Sequence, residues 1–361
     1  MQIHFGPDHD GLHVDPARPG AYEWWYFDAL SDDDRYALVV IFFLGSPMSP
    51  YYKAVVNGKE PDPRDWCGVF VSLHEKQADR WAGRAYAYNL YRGGTFAEDG
   101  GEVAVGGSRV VREETGESAL TWRLTLDEPG LWFGRTRAEV TFTVQGAQPD
   151  RPPLGEEDGH TWVCVAPVCR AEGVVNGIRF SGPGYHDHNF GQLPWADTDI
   201  WYWARASMVE EGEAGGDTRS VVLYFTFPRA PLNDCKPEVF AFVFDGSGNL
   251  LSLPETTRTE PARHRYDGNA FGLRFEPYLK WSVRAADRRS GYYGMLFLRE
   301  YSEDGQGGHI GSRNPGLFAD GPFYRRVRAA IRVGHRTNTL HDRWLWGGVG
   351  YGIGEVFRPA R

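Results

Sequence analysis

The 361-residue sequence lacks the segments that mark membrane-spanning and secreted proteins. No apolar run approaches the roughly 20 residues needed for a transmembrane helix. Residues 1–5 carry neither the basic nor the apolar region of a signal peptide. We therefore expect a cytoplasmic protein that is soluble or peripheral at a membrane.

The sequence also lacks an excess of positive charge. Its formal net charge is −9, whereas a nucleic-acid-binding protein usually presents a basic face. The clearest basic cluster is late in the chain, and we interpret it as a solvated face, with contact to anionic lipid as the alternative. It comprises Arg325, Arg326, Arg328 and Arg332. No nucleic-acid partner is predicted.

Cysteine is scarce, and the familiar cofactor and nucleophile motifs are missing. The four cysteines, Cys67, Cys164, Cys169 and Cys235, form no CxxC pair, which argues against a zinc site and for reduced thiols. No G-x-G-x-x-G opens a helix and no G-x-S-x-G occurs, which excludes the usual dinucleotide site and nucleophile elbow. The histidine pair in residues 186–188 has no third ligand at suitable spacing, so no metal is predicted.

Glycine, proline and aromatic residues are abundant, in contrast, and indicate an all-β fold. The sequence has 45 glycines, 23 prolines and 14% aromatic residues, and long helical stretches are scarce. Short β-like segments, among them residues 101–111 and 272–276, follow one another at regular spacing, as in barrels and sandwiches. Residues 327–333 are predicted to form a strand or a short helix. We predict two β domains, residues 1–195 and 196–361, because a polar connection occupies residues 192–199 and the second half repeats the style of the first.

Residues 180–191 stand out because glycine and proline surround polar and ionisable side chains. In an extended strand, Tyr185, Asp187 and Asn189 share one face, and His186 and His188 share the other. The alternative is an ordinary Gly-Pro-Gly turn followed by a polar edge strand.

Two further segments show the same alternation. In residues 20–29, Tyr22, Trp24, Tyr26 and Asp28 face one way. The apolar run from Tyr36 to Leu44 is suited to a strand covered on both faces, and it forms the second strand of a predicted hairpin. His160 and Trp162 share a face if their segment is a strand. The proline-bearing residues 46–52 are predicted to form a loop, either an ordinary packed loop or the rim of a pocket.

His160, Trp162, Tyr185 and Asp187 have the right chemistry for an acid–base site if their strands are neighbours. A carboxyl group among aromatic side chains stays neutral more readily, because burial disfavours its charge. Aromatic faces stabilise a nearby cation by about 0.5–2 kcal/mol each. An acid that protonates an alkene needs both features. The alternative is that these are core or edge residues with satisfied hydrogen bonds.

These motifs resemble the carotenoid 1,2-hydratase (hydroxyneurosporene synthase) family, within the lipocalin-like hydratases and cyclases. The resemblance rests on His160-x-Trp162, on residues 182–191 and 22–29, and on the ending at residues 354–359, and it extends from about Gly20 to the C-terminus. It implies two tandem lipocalin-like antiparallel β-barrels with the site near their junction. It also implies a cofactor-free enzyme that adds water to a terminal C=C of an acyclic carotenoid or other isoprenoid.

The resemblance assigns roles to individual residues. Asp187 is the proton donor that produces a tertiary cation, Trp162 and Tyr185 stabilise that cation, and His160 orients Asp187 or accepts a proton from water. Further candidates, for substrate binding, are Trp24, Tyr26, Asp28, Asn189 and Trp201. His188 and Trp195 receive no role.

Two other functions stay open on the sequence. A second alkene or proton loss can consume the same cation, which makes a cyclase or isomerase. A barrel lined with aromatic side chains can also carry an apolar ligand without chemistry. An apolar substrate implies contact with a membrane surface for delivery. The oligomeric state stays open.

Overall fold

The computed structural model describes residues 1–77, 80–115, 119–130, 134–145, 151–156, 159–195, 198–209, 218–228, 238–259, 279–288, 290–300, 323–337 and 344–358. These residues form two compact units, the first within Met1–Trp195 and the second made of the strands that follow. The boundary between the two predicted domains stays a prediction.

The first unit is built almost entirely of strands. They are β1 Gln2–Phe5, β2 Ala21–Leu30, β3 Tyr36–Leu44, β4 Cys67–Gln77, β5 Arg80–Tyr91, β6 Thr95–Phe96, β7 Glu102–Val105, β8 Ser108–Thr115, β9 Ala119–Pro129, β10 Arg135–Gln145, β11 Leu154–Gly155, β12 His160–Val175 and β13 Ile178–Gln192. One short helix, α1 Pro50–Val56, and two 3₁₀ turns, Pro7–His9 and Pro63–Trp66, complete the described part of this unit.

The strands of the first unit form one curled sheet. Its order is β5-β4-β3-β2-β13-β12-β10-β9-β8-β7-β6, with β1 parallel to β12 and antiparallel to β11. The sheet curls far enough for β5 to reach β9. There, Glu128 Oε2 accepts hydrogen bonds from Asn89 Nδ2 at 2.8 Å and from the Tyr91 hydroxyl at 2.6 Å.

The hydrophobic core occupies one face of this sheet. Bulky apolar side chains from β2, β3, β4, β9, β10 and β12 pack together there, among them Trp25, Phe27, Val40, Phe42, Trp122 and Phe142. β2 is buried along its whole length, and so is β3 after Tyr36, which fits the apolar run that predicted a strand covered on both faces. The opposite face of β2, β12 and β13 carries the predicted site residues of the first unit.

The second unit is a separate antiparallel sheet. Its strands are β14 Thr198–Val209, β15 Thr218–Pro228, β16 Glu238–Asp245, β17 Ser252–Thr259, β18 Leu279–Ala285, β19 Ser290–Glu300, β20 Phe323–Thr337 and β21 Trp344–Arg358. Their order is β16-β15-β14-β21-β20-β19-β18-β17. On β21, the alternate glycines Gly354 and Gly352 lie opposite Ala204 and Ala206 of β14.

The structure confirms the all-β prediction and refines individual elements. The segment predicted as one strand over residues 101–111 is split, because a turn with Gly106 at φ +60° separates β7 from β8. β17 was not predicted, and residues 327–333 lie in a strand. The predicted strand at residues 272–276 lies outside the described residues. In the described part of the chain, no helix has the length and apolarity to cross a membrane.

The Gly-Pro-Gly segment makes no turn, because β13 runs through it without interruption. Gly182 is required there by close packing. A Cβ at this position would lie 1.8 Å from the backbone oxygen of Leu30, so any side chain would clash with the end of β2. Glycine therefore permits the strand to continue beside its neighbour.

Candidate acid–base site

The site is built by the three neighbouring strands β12, β13 and β2, with β13 in the middle. Asp187 on β13 lies opposite Cys164 on β12 and opposite Tyr26 on β2. Two residues along, Asn189 lies opposite Trp162 and Trp24. Because side chains alternate across a strand, this register brings the three motifs to one face.

We call this face the site face. Its members are Tyr22, Trp24, Tyr26, Asp28, His160, Trp162, Cys164, Tyr185, Asp187 and Asn189. As the alternation predicted, one face carries Tyr185, Asp187 and Asn189. Asp187 accepts hydrogen bonds from the other two. His186 and His188 point to the opposite, core-facing side, where they pack on Phe27 and Trp25.

Asp187 is the acceptor at the centre of the site face. Its Oδ2 accepts hydrogen bonds from Trp162 Nε1 at 3.0 Å and from the Tyr185 hydroxyl at 3.0 Å, and its Oδ1 accepts from Asn189 Nδ2 at 2.9 Å. The side chain is buried, with 4% of its surface exposed. Three donors converge on one buried carboxyl group, which stabilises negative charge there.

The groups around Asp187 keep their own protons. Burial raises the pKa of Tyr185 well above its ordinary value, and the neighbouring charge of Asp187 raises it further. Burial likewise raises the pKa of the Cys164 thiol, with Asp187 adding to the effect. Tyr185 is therefore a hydrogen-bond donor, and Cys164 is a neutral thiol rather than a nucleophile.

A second tyrosine–aspartate pair lies beside the first. The Tyr26 hydroxyl donates to Asp28 Oδ2 at 3.0 Å, and Asp28 is fully buried. The rings of Tyr26 and Tyr185 meet edge to face with centroids 6.3 Å apart. Asp28 lies opposite Tyr185 in the β2–β13 register.

His160 belongs to a hydrogen-bonded chain at the other end of the site face. Trp195 Nε1 donates to the Tyr22 hydroxyl at 2.9 Å, and this hydroxyl lies 2.6 Å from His160 Nδ1. Trp24 packs among them, with its ring centroid 5.9 Å from that of His160. The ring centroid of Tyr52 lies 5.6 Å from that of Trp195, so the proline-bearing segment at residues 46–52 touches this end of the site. The prediction of a loop there is wrong for residues 50–52, which begin helix α1.

Exposure differs between the two ends of the site face. Asp28, Tyr185 and Trp162 are completely buried. Trp24 and Trp195 are each 7% exposed, and His160 is 8% exposed. The end with Trp24, His160 and Trp195 is therefore the one nearer to solvent, and Asp28 lies at the closed end.

A cluster of charged residues lies on the core side of the same strands. We call it the Asp10 cluster; it contains Asp10, His13, Glu23, His186 and His188. His186 Nε2 donates to Asp10 Oδ1 at 3.1 Å and His186 Nδ1 lies 2.9 Å from the Tyr26 carbonyl oxygen. Both ring nitrogens of His186 therefore face acceptor oxygens.

His188 is the second buried histidine of the Asp10 cluster. Its Nε2 lies 2.7 Å from Glu23 Oε1 and its Nδ1 lies 3.5 Å from Asp10 Oδ1, both as ion-pair contacts without hydrogen-bond alignment. Burial alone would lower the pKa of His188, but Asp10 and Glu23 outweigh it and raise the pKa to about 9. The same histidines lower the pKa of Asp10 although its burial acts in the opposite direction.

Three members of the Asp10 cluster have the composition of a metal site. His13, Glu23 and His188 place one ligand atom each within 4.8 Å of one another. From the sequence, no third ligand was predicted for the pair His186 and His188. Only His188 of that pair belongs to this group of three. The raised pKa of His188 makes it a cation between the Asp10 and Glu23 carboxylates, so ion pairs account for this composition.

The structure brings together the predicted residues of the first unit and adds others. Trp201 lies on β14 in the second unit, where its ring is 6.3 Å from that of Tyr224. Sequence reasoning assigned no role to Trp195 and left Tyr22 out of the site. Tyr22 was detectable, because it alternates with Trp24 and Tyr26; Trp195 has no pattern that signals its contact.

Comparison with known sequences places the site in a family context. The chain is similar to the family of the carotenoid hydratase CrtC, whose model matches residues 40–265. The match includes His160, Trp162, Tyr185 and Asp187 but begins after Asp28.

Two individual relatives are acyclic carotenoid 1,2-hydratases. The one from Thiocapsa roseopersicina is 33% identical over 225 residues, which cover 55% of this chain and 51% of that protein. The one from Rubrivivax gelatinosus is 32% identical over 266 residues, covering 68% of this chain and 61% of that protein. The chain thus spans about half of the first relative and 61% of the second.

Comparison with solved structures concerns the fold alone. A crystal structure assigned to AttH, from Nitrosomonas europaea, superposes with a TM-score of 0.54 at 13% sequence identity, over 97% of this chain and 95% of that chain. This likeness confirms the prediction of a lipocalin-like all-β architecture.

Proposed function

This chain belongs to the carotenoid hydratase family, and we propose that it adds water to a terminal C=C of an acyclic carotenoid or related isoprenoid. The observation that carries the proposal is the buried Asp187 carboxyl group with its three donors on an aromatic face. The family supplies the reaction class, and the three donors support the carboxylate that proton transfer from Asp187 leaves behind.

Asp187 acts as the acid. In its protonated form it carries the transferable proton on Oδ1, the oxygen that accepts the hydrogen bond of Asn189. Transfer to the less substituted alkene carbon leaves a tertiary cation and an Asp187 carboxylate. Trp162, Tyr185 and Asn189 are already positioned to stabilise that carboxylate, so no donor has to reorient during the step.

Aromatic rings surround the position of the cation. Trp162 and Tyr185 are held by their hydrogen bonds to Asp187, and Tyr26 packs against Tyr185. Each ring face contributes about 0.5–2 kcal/mol to a nearby cation. Water attacks the cation and loses a proton to give a tertiary alcohol.

The less deeply buried end of the site receives the substrate. The polyene lies along Trp24, His160 and Trp195, and its terminal double bond reaches Asp187. His160 has its Nδ1 beside the Tyr22 hydroxyl, and we assign it to shaping this end of the site. An apolar polyene is delivered from a membrane surface; binding of the protein to liposomes loaded with lycopene tests this delivery.

A carrier without chemistry would have no use for a buried carboxyl group. Asp187 is 4% exposed and is held by three donors, which favours an enzyme over a carrier. The cyclase and isomerase alternatives use the same acid and differ in what consumes the cation, so the product distinguishes them.

The test is incubation of purified protein with lycopene and shorter acyclic isoprenoids in ¹⁸O-labelled water, followed by mass spectrometry. We expect a product that has gained one labelled water, and at least about a 10³-fold loss of rate in Asp187→Asn. The exposed Asp8→Asn serves as the matched control and should retain the rate. A new product of unchanged mass would favour a cyclase or isomerase, and tight binding without product would favour a carrier.

A further inference from the structure

The site face contains two Tyr-x-Asp pairs that run in opposite directions. On β13, Tyr185 donates to Asp187, and on β2, Tyr26 donates to Asp28, both at 3.0 Å. The register places Tyr185 opposite Asp28 and Tyr26 opposite Asp187. The two pairs are therefore related by a local twofold arrangement, which puts a second buried carboxyl group diagonally across from the first.

From this juxtaposition we propose that Asp28 is a catalytic base that works with the acid Asp187. The proposal rests on the proposed hydration. The C=C π electrons take the proton of Asp187, a C–O bond then forms between water and the cation, and the Asp28 carboxylate takes the proton that the water loses. Alkene and water become an alcohol, while one proton has moved from Asp187 to Asp28. The proton then returns from Asp28 to Asp187 through water in the site, which restores the starting state.

The backbone positions of the two aspartates leave room for a water molecule between their side chains. On paired antiparallel strands, the Cα atoms of diagonal neighbours are about 7–8 Å apart. Carboxyl pairs that protonate one atom and activate a water in inverting glycosidases are about 6.5–9.5 Å apart, which leaves room for that water. Asp28 and Asp187 occupy such diagonal positions.

His160 is less well placed to accept this proton. It lies opposite Gly191, four residues along β13 from Asp187. At about 3.3 Å per residue, that is about 13 Å along the strand. Its Nδ1 also lies beside the Tyr22 hydroxyl. Asp28 is the nearer basic group on the same face.

Proximity also explains how two aspartates take different roles. Two buried carboxyl groups close together do not both ionise readily, because each carboxylate disfavours the charge on the other. Such a pair holds one proton. In the proposed cycle Asp187 holds it before protonation of the alkene, and Asp28 holds it after attack by water.

The role of Asp28 is tested by measuring protonation of the alkene separately from the attack of water. Wild type, Asp28→Asn and Asp187→Asn are incubated with lycopene in deuterated water, and both the alcohol and the recovered lycopene are analysed by mass spectrometry. We expect Asp28→Asn to lower alcohol formation by about 10²–10⁴-fold while deuterium still enters the terminal alkene CH of recovered lycopene. Asp187→Asn should lose both. Retained deuterium exchange also shows that Asp28→Asn is folded.

Two further measurements make the result independent of one variant. In wild type, kcat should fall at low pH because the base Asp28 becomes protonated. This fall should disappear in Asp28→Asn. Alcohol formation by Asp28→Ala should rise at least about tenfold with added formate, which replaces the missing carboxylate.

An active wild type with an equally active Asp28→Asn would overturn the assignment of Asp28 alone. Equal losses of exchange and hydration in a folded Asp28→Asn would also overturn it. A wild type that forms no alcohol would overturn the proposed function and, with it, the role of Asp28.

Discussion

Trp162 Nε1 donates a hydrogen bond to Asp187 Oδ2 across the β12–β13 pair, at 3.0 Å. The two residues are 25 positions apart in the chain, and neither is opposite the other in the register. The indole reaches diagonally, so one ring supplies both a donor to the acid and an aromatic surface beside it. These two contributions are separable by substitution.

Replacing Trp162 with Phe keeps an aromatic ring and removes the donor. We expect kcat to fall about 10–100-fold, because the carboxylate formed in the first step loses one of its stabilising hydrogen bonds. Steady-state turnover of lycopene measures this. Trp66→Phe, a partly buried tryptophan outside the site face, is the matched control. An unchanged kcat in Trp162→Phe would contradict the role of the indole N–H.

Replacing Tyr22 with Phe removes the hydroxyl group that both Trp195 and His160 contact. Because these residues form the less deeply buried end of the site, where we place substrate entry, we expect KM to rise several-fold and kcat to change less. The free energy of unfolding should decrease by about 1–2 kcal/mol, since buried polar groups lose a partner. Tyr36→Phe, which removes a hydroxyl bonded to Glu75, is the control. A fall in kcat with unchanged KM would argue against this placement.

The ion pairs of His188 predict a loss of stability at alkaline pH. Its pKa rises from an ordinary 6.5 to about 9 on folding. Protonated His188 therefore stabilises the folded state, and this contribution is complete below about pH 6.5. The stabilisation is lost as pH rises through about 9, where folded His188 loses its proton. The difference corresponds to about 3 kcal/mol. Urea denaturation at pH 6 and pH 10 measures it.

The control for this pH dependence is a matched pair of histidine variants. His188→Gln should be less stable than wild type at pH 6, because Asp10 and Glu23 lose their cation, and should lose less stability between the two pH values. His9→Gln, at a partly exposed position, should behave like wild type. If His188→Gln lost as much stability as wild type between pH 6 and pH 10, the alkaline loss of stability would have to come from other groups.

Gly182 should not tolerate a side chain. In Gly182→Ala the Cβ would meet the Leu30 backbone oxygen at 1.8 Å, so β13 must shift, and we expect a destabilisation of at least about 2 kcal/mol. Gly83→Ala is the matched strand control, because nothing lies within 4 Å of its Cβ position. That variant should be neutral or stabilised by up to about 1 kcal/mol. Equal stabilities of the two variants would refute the close-packing explanation.

Much of the candidate site was predictable from alternation along single strands. The prediction that Tyr185, Asp187 and Asn189 share a face needed only the two-residue period of a strand, and the same period grouped Trp24, Tyr26 and Asp28. The contacts of Trp195 were not predictable, because it follows β13 outside any periodic segment. The Asp10 cluster was also missed, since Asp10 lies outside the strands and is far in sequence from the histidines that it contacts.

The sequence by itself determined the all-β class, the family and the faces of the strands that carry Asp187, because these depend on composition, motifs and local periodicity. The tertiary structure alone decided which strands are neighbours and in what register. Residues 22–28 and 185–189 meet only because β2 pairs with β13, and a shift of one residue would turn Asp28 to the other face. Register depends on packing across the whole sheet, so the reciprocal placement of Asp28 and Asp187 became visible only in the folded chain.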